Sequence, residues 1–514
     1  MTSLDGAHPF RAPCSHSAFP LMSSSADFFL ARRGTSVPGV RRVLTHDEAL
    51  ALAKFALGVT SKFYAGVAVV SLTHQVTTTA TVLPDGRVRS HTSDDFKFDF
   101  ATSVGNGVQL TVDADVRDTA ALQRVIEHAN MRAVPSPRPE DLSPELRNLD
   151  SMTRKFFGPH QYPSCTLWRD STADALDLMP GQILPGLVQQ VKNANLSSAA
   201  TMAVTGRAVL AYSSYGLSAW AELTDSEISV TARALDGTGS GWSGHCHRDW
   251  TKLQTERVVH EAIDMALRNR GAVRFEPGRY TAILSPTAVG QLMKQNAMAF
   301  DVGKGAPFIL TMPRRDGRTT RITEQVADPR ITMWTDPSDT ENGIVPFFGD
   351  GYPSGKTTWI EKGVLKALAF NPGEAAKRLV PPAKFPFGLQ MTGGTTTIDE
   401  MIASCERGIY VNRFSDIHTS DYPSATMTGV TRDGCFLIKD RKIHKPITNF
   451  RFYESPLLIL TKILALGPPQ RASFGFSPTK ETLWNTFDPW PYEPVVTPAL
   501  MVQDFNFSAL SDAV

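Results

Sequence analysis

The sequence has almost no charge surplus of either sign. Its 514 residues contain 52 Lys and Arg against 51 Asp and Glu, a formal net charge of +1. Nucleic-acid binding usually requires a clustered excess of basic residues, and attachment to an anionic membrane surface requires a polybasic segment. We therefore expect neither a nucleic-acid partner nor a membrane partner.

Cysteines and long apolar runs are also scarce. The five cysteines are scattered and odd in number, with no CxxC pair, which argues against a secreted disulfide framework or a zinc ribbon. No stretch approaches the roughly 18–20 apolar residues of a membrane span. Pro, His and Ser interrupt the N-terminal residues where a secretory signal would be continuously apolar. These features predict a cytoplasmic protein.

What the sequence does contain predicts an α+β protein with two domains. Residues 1–44 are rich in Ser, Pro and Arg and are typical of a flexible N-terminal extension. Residues 45–270 alternate helical and strand patterns, which indicates an antiparallel sheet with flanking helices. Residues 271–514 are mostly short strands separated by turns, which predicts a β-rich sandwich or barrel-like domain.

Local signals support this division. Thr45 followed by Glu48 predicts a capping box at the start of the first helix. An Asp-Gly turn in LPDGRV joins two strand patterns within residues 66–115, and residues 134–150 read as a Pro-rich linker. The apolar run LLILTKILALG (457–467) predicts one late helix.

Several long segments resemble the TldD/PmbA family in that family's own order. The C-terminal half carries the clearest ones, and the N-terminal half adds AYSSYGLSAWAELTDSEISVTARALDGTGSGWSG. The similarity extends over roughly residues 45–514. The C-terminal segments are EPGRYTAILSPTAVGQLM, TTWIEKGVL, MTGGTTTIDEMIASCERGIYVNRF, TGVTRDGCFLIKDRKIHKPITNFRFYESPLLILTKILALG and PALMVQDFNFSALSDAV.

The resemblance implies a two-domain subunit that forms a homodimer, or a heterodimer with a TldD-type subunit, around an internal cavity. TldD-type subunits are metallopeptidases with an HExxxH zinc helix and a late cysteine ligand, whereas the PmbA-type partner lacks these ligands. Here the segment after the strand RYTAILSP reads TAVGQLMKQNAMAF (287–300), without His, Glu or Cys. No cysteine lies near LGPPQRAS (466–473) either. The chain therefore resembles the PmbA-like branch, and we expect no cofactor in the isolated chain and zinc only through a partner.

The best candidate catalytic residues are Asp416, His418 and Arg432, on a predicted connection between two strong strands. Functional groups are often carried on loops held by a rigid scaffold. An Asp and a His at this spacing suit an orienting residue and a general base, or a pair of metal ligands. A solvated loop with the same composition is the alternative.

Gly393, Gly394 and Thr395 are the candidate substrate-binding residues. Two adjacent glycines allow another backbone to approach closely, which suits a peptide added to a sheet edge. The segment lacks the Lys of a phosphate-binding loop, so nucleotide binding is not expected.

The metal-competent residues His245, Cys246 and His247 share one glycine-rich segment and are weak metal candidates. We expect His245 and His247 to point apart in an extended loop, so that a shared metal would require a tight bend. The alternative is a glycine-rich contact loop between domains or subunits. His260-Glu261 resembles half of a zinc motif, but we interpret it as part of a solvated helix face.

Two further sets of residues are expected to be structural. Cys405 is predicted to be a buried thiol, and five aromatic residues are predicted to lie in the core. These are Tyr410, Phe414, Phe436, Phe450 and Phe452.

The leading functional hypothesis is peptide processing or proteolysis by a dimer whose subunit of this type lacks its own conventional zinc site. The first alternative is a tailoring enzyme of small-molecule or peptide biosynthesis with a rebuilt active site. The second is a non-catalytic subunit that holds the substrate.

Overall fold

We analysed a computed structural model of the chain. The structure describes residues 43–61, 67–83, 86–103, 109–112, 118–132, 156–177, 179–302, 320–370, 375, 383, 386, 388–475 and 494–511. The predicted extension, up to residue 42, and the predicted linker at 134–150 lie outside these residues.

The first sheet has six strands in the order β3-β2-β1-β4-β5-β6, and every neighbouring pair is antiparallel. This confirms the predicted antiparallel sheet. The Asp-Gly segment joins β1 to β2, with Val82 paired to Val88. The strands are β1 (Val67–Val82), β2 (Val88–Ser103), β3 (Gln109–Val112), β4 (Leu196–Ser213), β5 (Ser218–Ala234) and β6 (Ser240–His247).

Helices flank this sheet as predicted. The first begins at the predicted capping box, in which Thr45 and Glu48 cap each other's backbone N–H groups. The helices are α1 (His46–Thr60), α2 (Thr119–Arg132), α3 (Asp170–Asp174), α4 (Met179–Asn193) and α5 (Thr255–Arg268). Apolar residues of α4 and α5 pack on β4 and β5 and form the core on one face of the sheet.

The second sheet has eleven strands and is mixed. Five of them, β7, β12, β13, β15 and β17, pair in a closed ring, which confirms the barrel-like prediction. Its strands are β7 (Gly278–Leu284), β8 (Met333–Thr335), β9 (Thr357–Glu361), β10 (Val364–Leu365), β11 (Gln390–Met391), β12 (Arg407–Asp421), β13 (Thr426–Lys439), β14 (Lys442–Pro446), β15 (Phe450–Glu454), β16 (Ile463–Arg471) and β17 (Val496–Leu510).

Among the described residues, three short helices accompany this sheet: α6 (Pro286–Asn296), α7 (Ile398–Ser404) and α8 (Pro456–Ile459). The predicted late helix at 457–467 is wrong for most of its length, because α8 ends at Ile459 and β16 follows from Ile463. A short apolar run does not distinguish a buried helix from a buried strand, and pairing with β17 decides for the strand.

The predicted core residues of the C-terminal half are buried. The five aromatic residues are at most 9% exposed, and Cys405 is 2% exposed. Strands of the first sheet end at residue 247 and those of the second begin at 278, on either side of the predicted boundary at 270. The domain limits themselves stay a prediction. Within the described part of the chain, no helix has the length and apolar character needed to cross a membrane.

Candidate functional site

A short segment at the end of β16 lies against β5 and β6 of the first sheet and connects the two sheets. We call residues 471–475, the last residue of β16 and the four that follow it, the crossing segment. Its residues contact β5 and β6 on one side and α6 on the other, and each contact involves polar or small side chains.

The alternation of side chains along a strand determines which polar residues face the crossing segment. Asp225 and Glu227 are two residues apart on β5 and therefore share one face of the sheet. Cys246 is the direct partner of Glu227 on β6 and lies on that same face. The pairing register of β5 and β6 thus places the carboxylates of Asp225 and Glu227 and the thiol of Cys246 on one face of the sheet.

The carboxylate of Glu227 is held by the crossing segment. Its Oε1 accepts hydrogen bonds from Ser473 Oγ at 2.6 Å, from the Phe474 N–H at 3.2 Å and from the Gly475 N–H at 2.9 Å. Burial raises the pKa of Glu227, and these hydrogen bonds oppose that rise because they stabilise the carboxylate. Glu227 therefore anchors the segment to β5.

Asp225 forms the ion pair of the cluster. Its Oδ2 accepts a hydrogen bond from Arg471 Nη2, and the two side chains are 7% and 11% exposed. Charges this deeply buried are tolerated only as pairs, because each alone would carry a large desolvation cost. The pairing raises the pKa of Arg471 further above its ordinary value, against the opposing effect of burial.

Cys246 is an unreactive thiol in this setting. Burial raises its pKa to about 12, although the charge of Arg471 acts in the opposite direction. Its Sγ lies 3.5 Å from the carbonyl oxygen of Ala472 and donates to it. At neutral pH the sulfur is a neutral hydrogen-bond donor, whereas a metal ligand or nucleophile must be a thiolate.

The predicted loop around the two histidines is strand β6, so the expectation that His245 and His247 point apart is wrong. Residues two apart on a strand share a face, and here Cys246 is the one that points the other way. Burial, together with the charge of Arg257, lowers the pKa of His245 to about 4. Its ring is therefore neutral at pH 7.

His247 is engaged in local hydrogen bonds rather than in a metal cluster. Its Nδ1 accepts from the Asp249 N–H at 2.9 Å, and its Nε2 lies 2.9 Å from Glu341 Oε2. Among the described residues, no group of three or more His, Cys, Asp and Glu is arranged to hold a metal ion. The weak metal assignment of His245, Cys246 and His247 gains no support from this geometry.

Helix α6 occupies the position at which the family resemblance places the zinc helix. It follows β7 directly and is capped by Ser285, whose Oγ accepts from the Ala288 N–H. A Cβ atom added to Gly290 would lie 2.5 Å from Ala472 Cβ, so the helix and the crossing segment are in close contact. The two segments at which the family resemblance would place zinc ligands, 287–300 and 466–473, therefore meet in space.

The residues at this meeting point do not fit a zinc ion. The helix presents Gly290 and Lys294, and the Lys294 ammonium lies 4.8 Å from the Phe474 ring. Gln291 has its carboxamide bonded to both backbone groups of Phe414, at 2.8 Å each. These small, aromatic and cationic side chains supply no thiolate, imidazole or carboxylate, which are the groups that zinc requires. The nearby Cys246 thiol and Glu227 carboxylate already bond to Ala472 and to residues 473–475 of the crossing segment.

The predicted catalytic residues are only partly brought together. Asp416 and His418 lie on β12 at a bulge, both exposed, and His418 Nδ1 is 3.1 Å from the Asp416 carbonyl oxygen. His418 pairs with Thr428, which lies four residues before Arg432 on β13. At ~3.3 Å per residue this separation is about 13 Å along the strand. The predicted connecting loop is thus strand, and the catalytic role stays a prediction.

The predicted glycine pair does receive a close backbone, but that backbone belongs to the same chain. The Gly394 N–H donates to the Gly467 carbonyl oxygen at 2.8 Å, and a Cβ on Gly393 would lie 2.6 Å from that oxygen. Strand β16 therefore occupies the space that the two glycines create. Thr395 is exposed beside them. Substrate binding at these residues stays a prediction.

The His260-Glu261 pair lies on the outer face of α5. His260 is exposed, and Glu261 accepts from Arg257 Nη1 and from Ser243 Oγ, each at 2.7 Å. Asp264 pairs with Arg268 at 3.2 Å on the next turn. This is the solvated, ion-paired helix face that the sequence predicts.

Sequence reasoning missed the residues that hold the cluster together, namely Asp225, Glu227 and Arg471. A signal exists in retrospect: ELTDSEISV places two acidic residues on one face of a strand whose neighbours are apolar or small. Acidic residues at such positions require partners. The partner lies almost 250 residues away, where no local pattern points to it.

Comparison with known proteins finds relatives of the same family at low sequence identity. The chain is similar to "Metalloprotease TldD homolog" proteins of Haemophilus influenzae, at 24% identity over 263 residues, and of Buchnera aphidicola, at 24% over 230 residues. These alignments cover 47% and 42% of this chain and 53% and 46% of the relatives. The chain therefore spans about half the length of the curated relatives it matches.

Solved structures resemble the fold over most of its length. The TldE structure from Thermococcus kodakarensis superimposes with a TM-score of 0.69 at 16% identity, covering 89% of this chain and 99% of that one. A proposed modulator of DNA gyrase from Thermotoga maritima gives 0.69 at 15% identity, with 90% and 99% covered. Residues 277–509, from β7 almost to the end of β17, match the family model described as the PmbA/TldA metallopeptidase C-terminal domain. Residues 277–509 therefore match a domain of the TldD/PmbA family, and the chain as a whole shares its fold with TldE.

Proposed function

We propose that this chain is the PmbA-type, TldE-like subunit of a peptide-processing assembly and has no zinc site of its own. One observation carries the proposal. Where α6 meets the crossing segment, the side chains are Gly290, Lys294, Ala472 and Phe474, and none of them is a zinc ligand.

The partner under this proposal is a TldD-type subunit that supplies the zinc, in a cytoplasmic heterodimer that acts on peptides. Relatives named as metalloproteases support the metal-bearing partner, and the similarity to TldE supports the role of this chain. The near-zero net charge of the chain is compatible with a peptide substrate rather than a nucleic acid.

The first experiment measures metal content and native mass. The purified chain, a TldD-type subunit and their mixture are passed through size exclusion and analysed by elemental mass spectrometry. We expect a heterodimer in the mixture, with zinc following the TldD-type subunit. One tightly bound zinc per copy of this chain alone, after extensive dialysis, would contradict the metal-free assignment.

The second experiment measures hydrolysis of a flexible peptide by each subunit and by the mixture. We expect turnover only in the mixture, and none when the TldD-type subunit carries a Glu→Gln change in its zinc motif. Turnover by this chain alone that falls in His418→Ala or His247→Ala would favour the tailoring-enzyme alternative. A mixture that binds peptide through this chain without increased turnover would favour a substrate-holding role.

A further inference from the structure

A row of three positive charges crosses the second sheet where β12 and β14 begin and β13 ends. Lys439 on β13 is the direct partner of Arg407 on β12 and of Lys442 on β14. Residues directly opposite each other on neighbouring strands share a face, and like charges in such positions destabilise the strand pair. We call Arg407, Lys439 and Lys442 the basic row.

No acidic side chain among the described residues offsets the basic row. Its three members are exposed, and none of them forms an ion pair there. Glu406, next to Arg407 in sequence, is instead paired with Arg441 at 3.4 Å. Asp440 lies in the turn after Lys439, where its backbone N–H donates to the Glu406 carbonyl oxygen at 2.9 Å. The repulsion within the basic row is therefore screened by solvent alone.

Two aromatic rings hold the guanidinium of Arg407 in place. Its Cζ lies 5.8 Å from the centre of the Phe275 ring and 5.8 Å from the centre of the Tyr280 ring, which are cation–π distances. The Tyr280 hydroxyl donates to the Glu276 carbonyl oxygen at 3.0 Å, which fixes that ring. Arg407 is thus positioned by apolar surfaces, and its N–H donors form no hydrogen bond with a described residue.

Protection of a sheet edge explains only part of this arrangement. Lysines on an edge strand discourage pairing with other chains, and Lys442 lies on β14, which pairs with β13 alone in the part of the chain that the structure describes. Arg407 and Lys439 lie on inner strands. Strand β12 lies between β7 and β13, and β13 pairs with β12, β14 and β15. Cations on these two strands have no edge to protect.

The outer edge of β14 is open over most of its length. Near its end, the Val273 N–H donates to the Pro446 carbonyl oxygen at 3.2 Å, and the Thr448 N–H donates to the Val273 carbonyl oxygen at 3.0 Å. From Lys442 to Lys445 no described strand pairs with this edge, and both lysines are exposed. A segment added there would place one side chain directly opposite Lys442, at the end of the basic row.

We propose that the basic row and the open edge of β14 bind an extended, acidic peptide segment. An acidic residue opposite Lys442 would continue the row with the opposite charge, which stabilises a strand pair. Main-chain hydrogen bonds to β14 would supply affinity, as for other peptides added to a sheet edge. The two rings beside the row already face Arg407 and are not free to stack on nucleic-acid bases, which favours a peptide. This binding activity is separate from the proposed function, because it requires neither zinc nor a partner subunit.

The test measures fluorescence anisotropy of two labelled peptides with the purified full-length chain. One peptide alternates Glu with Thr, which places every Glu on one face of an added strand, and the other has Gln in place of each Glu. We expect the Glu peptide to bind about tenfold more tightly, because exposed charge pairs are individually weak. Raising the salt from about 50 mM to about 300 mM should reduce this preference. Lys439→Gln, at the centre of the row, should remove most of it.

Matched variants separate binding from folding. Lys54→Gln makes the same change at an exposed residue of α1 and should leave the preference intact. Lys439→Gln should also raise the midpoint of thermal unfolding, because it removes repulsion from the row, whereas Lys54→Gln should not. Lys442→Gln provides a second site variant if Lys439→Gln does not fold.

Three results would overturn the site: equal affinity for the Glu and Gln peptides, an unchanged preference in both Lys439→Gln and Lys442→Gln, or tighter binding of a labelled single-stranded oligonucleotide than of the Glu peptide. A lowered unfolding midpoint in Lys439→Gln would contradict the repulsion from which the site is inferred. Failure of the proposed function gives a different result. In that case the Glu peptide still binds, while the mixture with a TldD-type subunit hydrolyses no peptide.

Discussion

Two groups of polar residues on this chain differ in how deeply they are buried and in how many hydrogen bonds and ion pairs they form. Asp225, Glu227 and Arg471 are bonded to one another or to the crossing segment between the sheets. Asp416 and His418 lie on an exposed bulge of β12, where His418 Nδ1 is 3.1 Å from the Asp416 carbonyl oxygen and Asp416 Oδ2 accepts from Ser415 Oγ at 3.3 Å. Both groups contain residue types suited to acid–base chemistry.

The difference shows that residue type and sequence spacing are not enough to find the polar residues that stabilise the fold. Asp416 and His418 attract attention in the sequence because they are neighbours. Asp225 and Arg471 form the stronger interaction although they are far apart in the chain, since burial strengthens their attraction and removes competition from water. Four substitutions, from the largest expected effect to the smallest, test this contrast.

Arg471→Met should have the largest effect. It leaves the carboxylate of Asp225 buried without its partner, and we expect the free energy of unfolding to fall by about 3–5 kcal/mol. Urea denaturation measures the change. The control Arg441→Met removes one partner of an exposed ion pair and should cost less than about 1 kcal/mol. Equal losses in the two variants would mean that the buried pair has no special role.

Gly290→Ala tests the contact between α6 and the crossing segment. The added Cβ would lie 2.5 Å from Ala472 Cβ, and we expect overpacking to reduce stability by about 1–3 kcal/mol. The same change at Gly58, in α1, meets no atom within 4 Å and should stabilise the chain by about 0.4–1 kcal/mol. Thermal unfolding compares the two. A stabilised Gly290→Ala variant would show that the contact is loose.

His245→Gln tests how the sheet edge responds to pH. Unfolded chains protonate this histidine near its ordinary pKa of 6.5, but in the folded chain its pKa is lowered to about 4. The folded state therefore loses stability as pH falls from 6.5 to 4, and this group has no effect above that window. Allowing for its partial exposure, the loss is about 1–2 kcal/mol.

The measurement for this prediction is urea denaturation at a series of pH values. His245→Gln should be less sensitive to pH within the window than the natural chain. His260→Gln, at an exposed position on α5, should follow the natural chain. If both variants have the same pH profile as the natural chain, His245 is not held neutral by its surroundings.

His418→Ala should have the smallest effect on stability, because the side chain is exposed at a bulge. We expect a change within about 0.5 kcal/mol in denaturant titration. The same variant tests the predicted catalytic role in the reconstituted assembly. A fall in turnover of about 10²-fold at unchanged stability would support a general base. A large loss of stability would instead show that the exposed group at Asp416 and His418 also stabilises the fold.

Much of the fold could be predicted from local patterns. The capping box at Thr45, the hairpin between β1 and β2 and the helix at 255–268 each depend on residues close in sequence. The late helix at 457–467 was wrong because an apolar run suits a buried strand as well as a buried helix. Only pairing with β17, about 30 residues later, distinguishes the two.

The candidate site could be predicted only in part. The sequence identifies His245, Cys246 and His247 as residue types that can bind a metal. The family resemblance places a zinc helix at 287–300, where this sequence has no His, Glu or Cys. It does not reveal that Cys246 faces the crossing segment while the histidines face away, since that depends on strand pairing. Nor does it reveal that β16 fills the space beside Gly393.

By itself the sequence determined the neutral charge balance, the family pattern, the helix caps and the absence of zinc ligands from the 287–300 segment. These are properties of residue type and short spacing. The tertiary structure alone decided which charges meet, such as Asp225 with Arg471 and Arg413 with Asp433. Such pairs are fixed by the register of distant strands and by burial, because the free energy of a charge depends on what surrounds it.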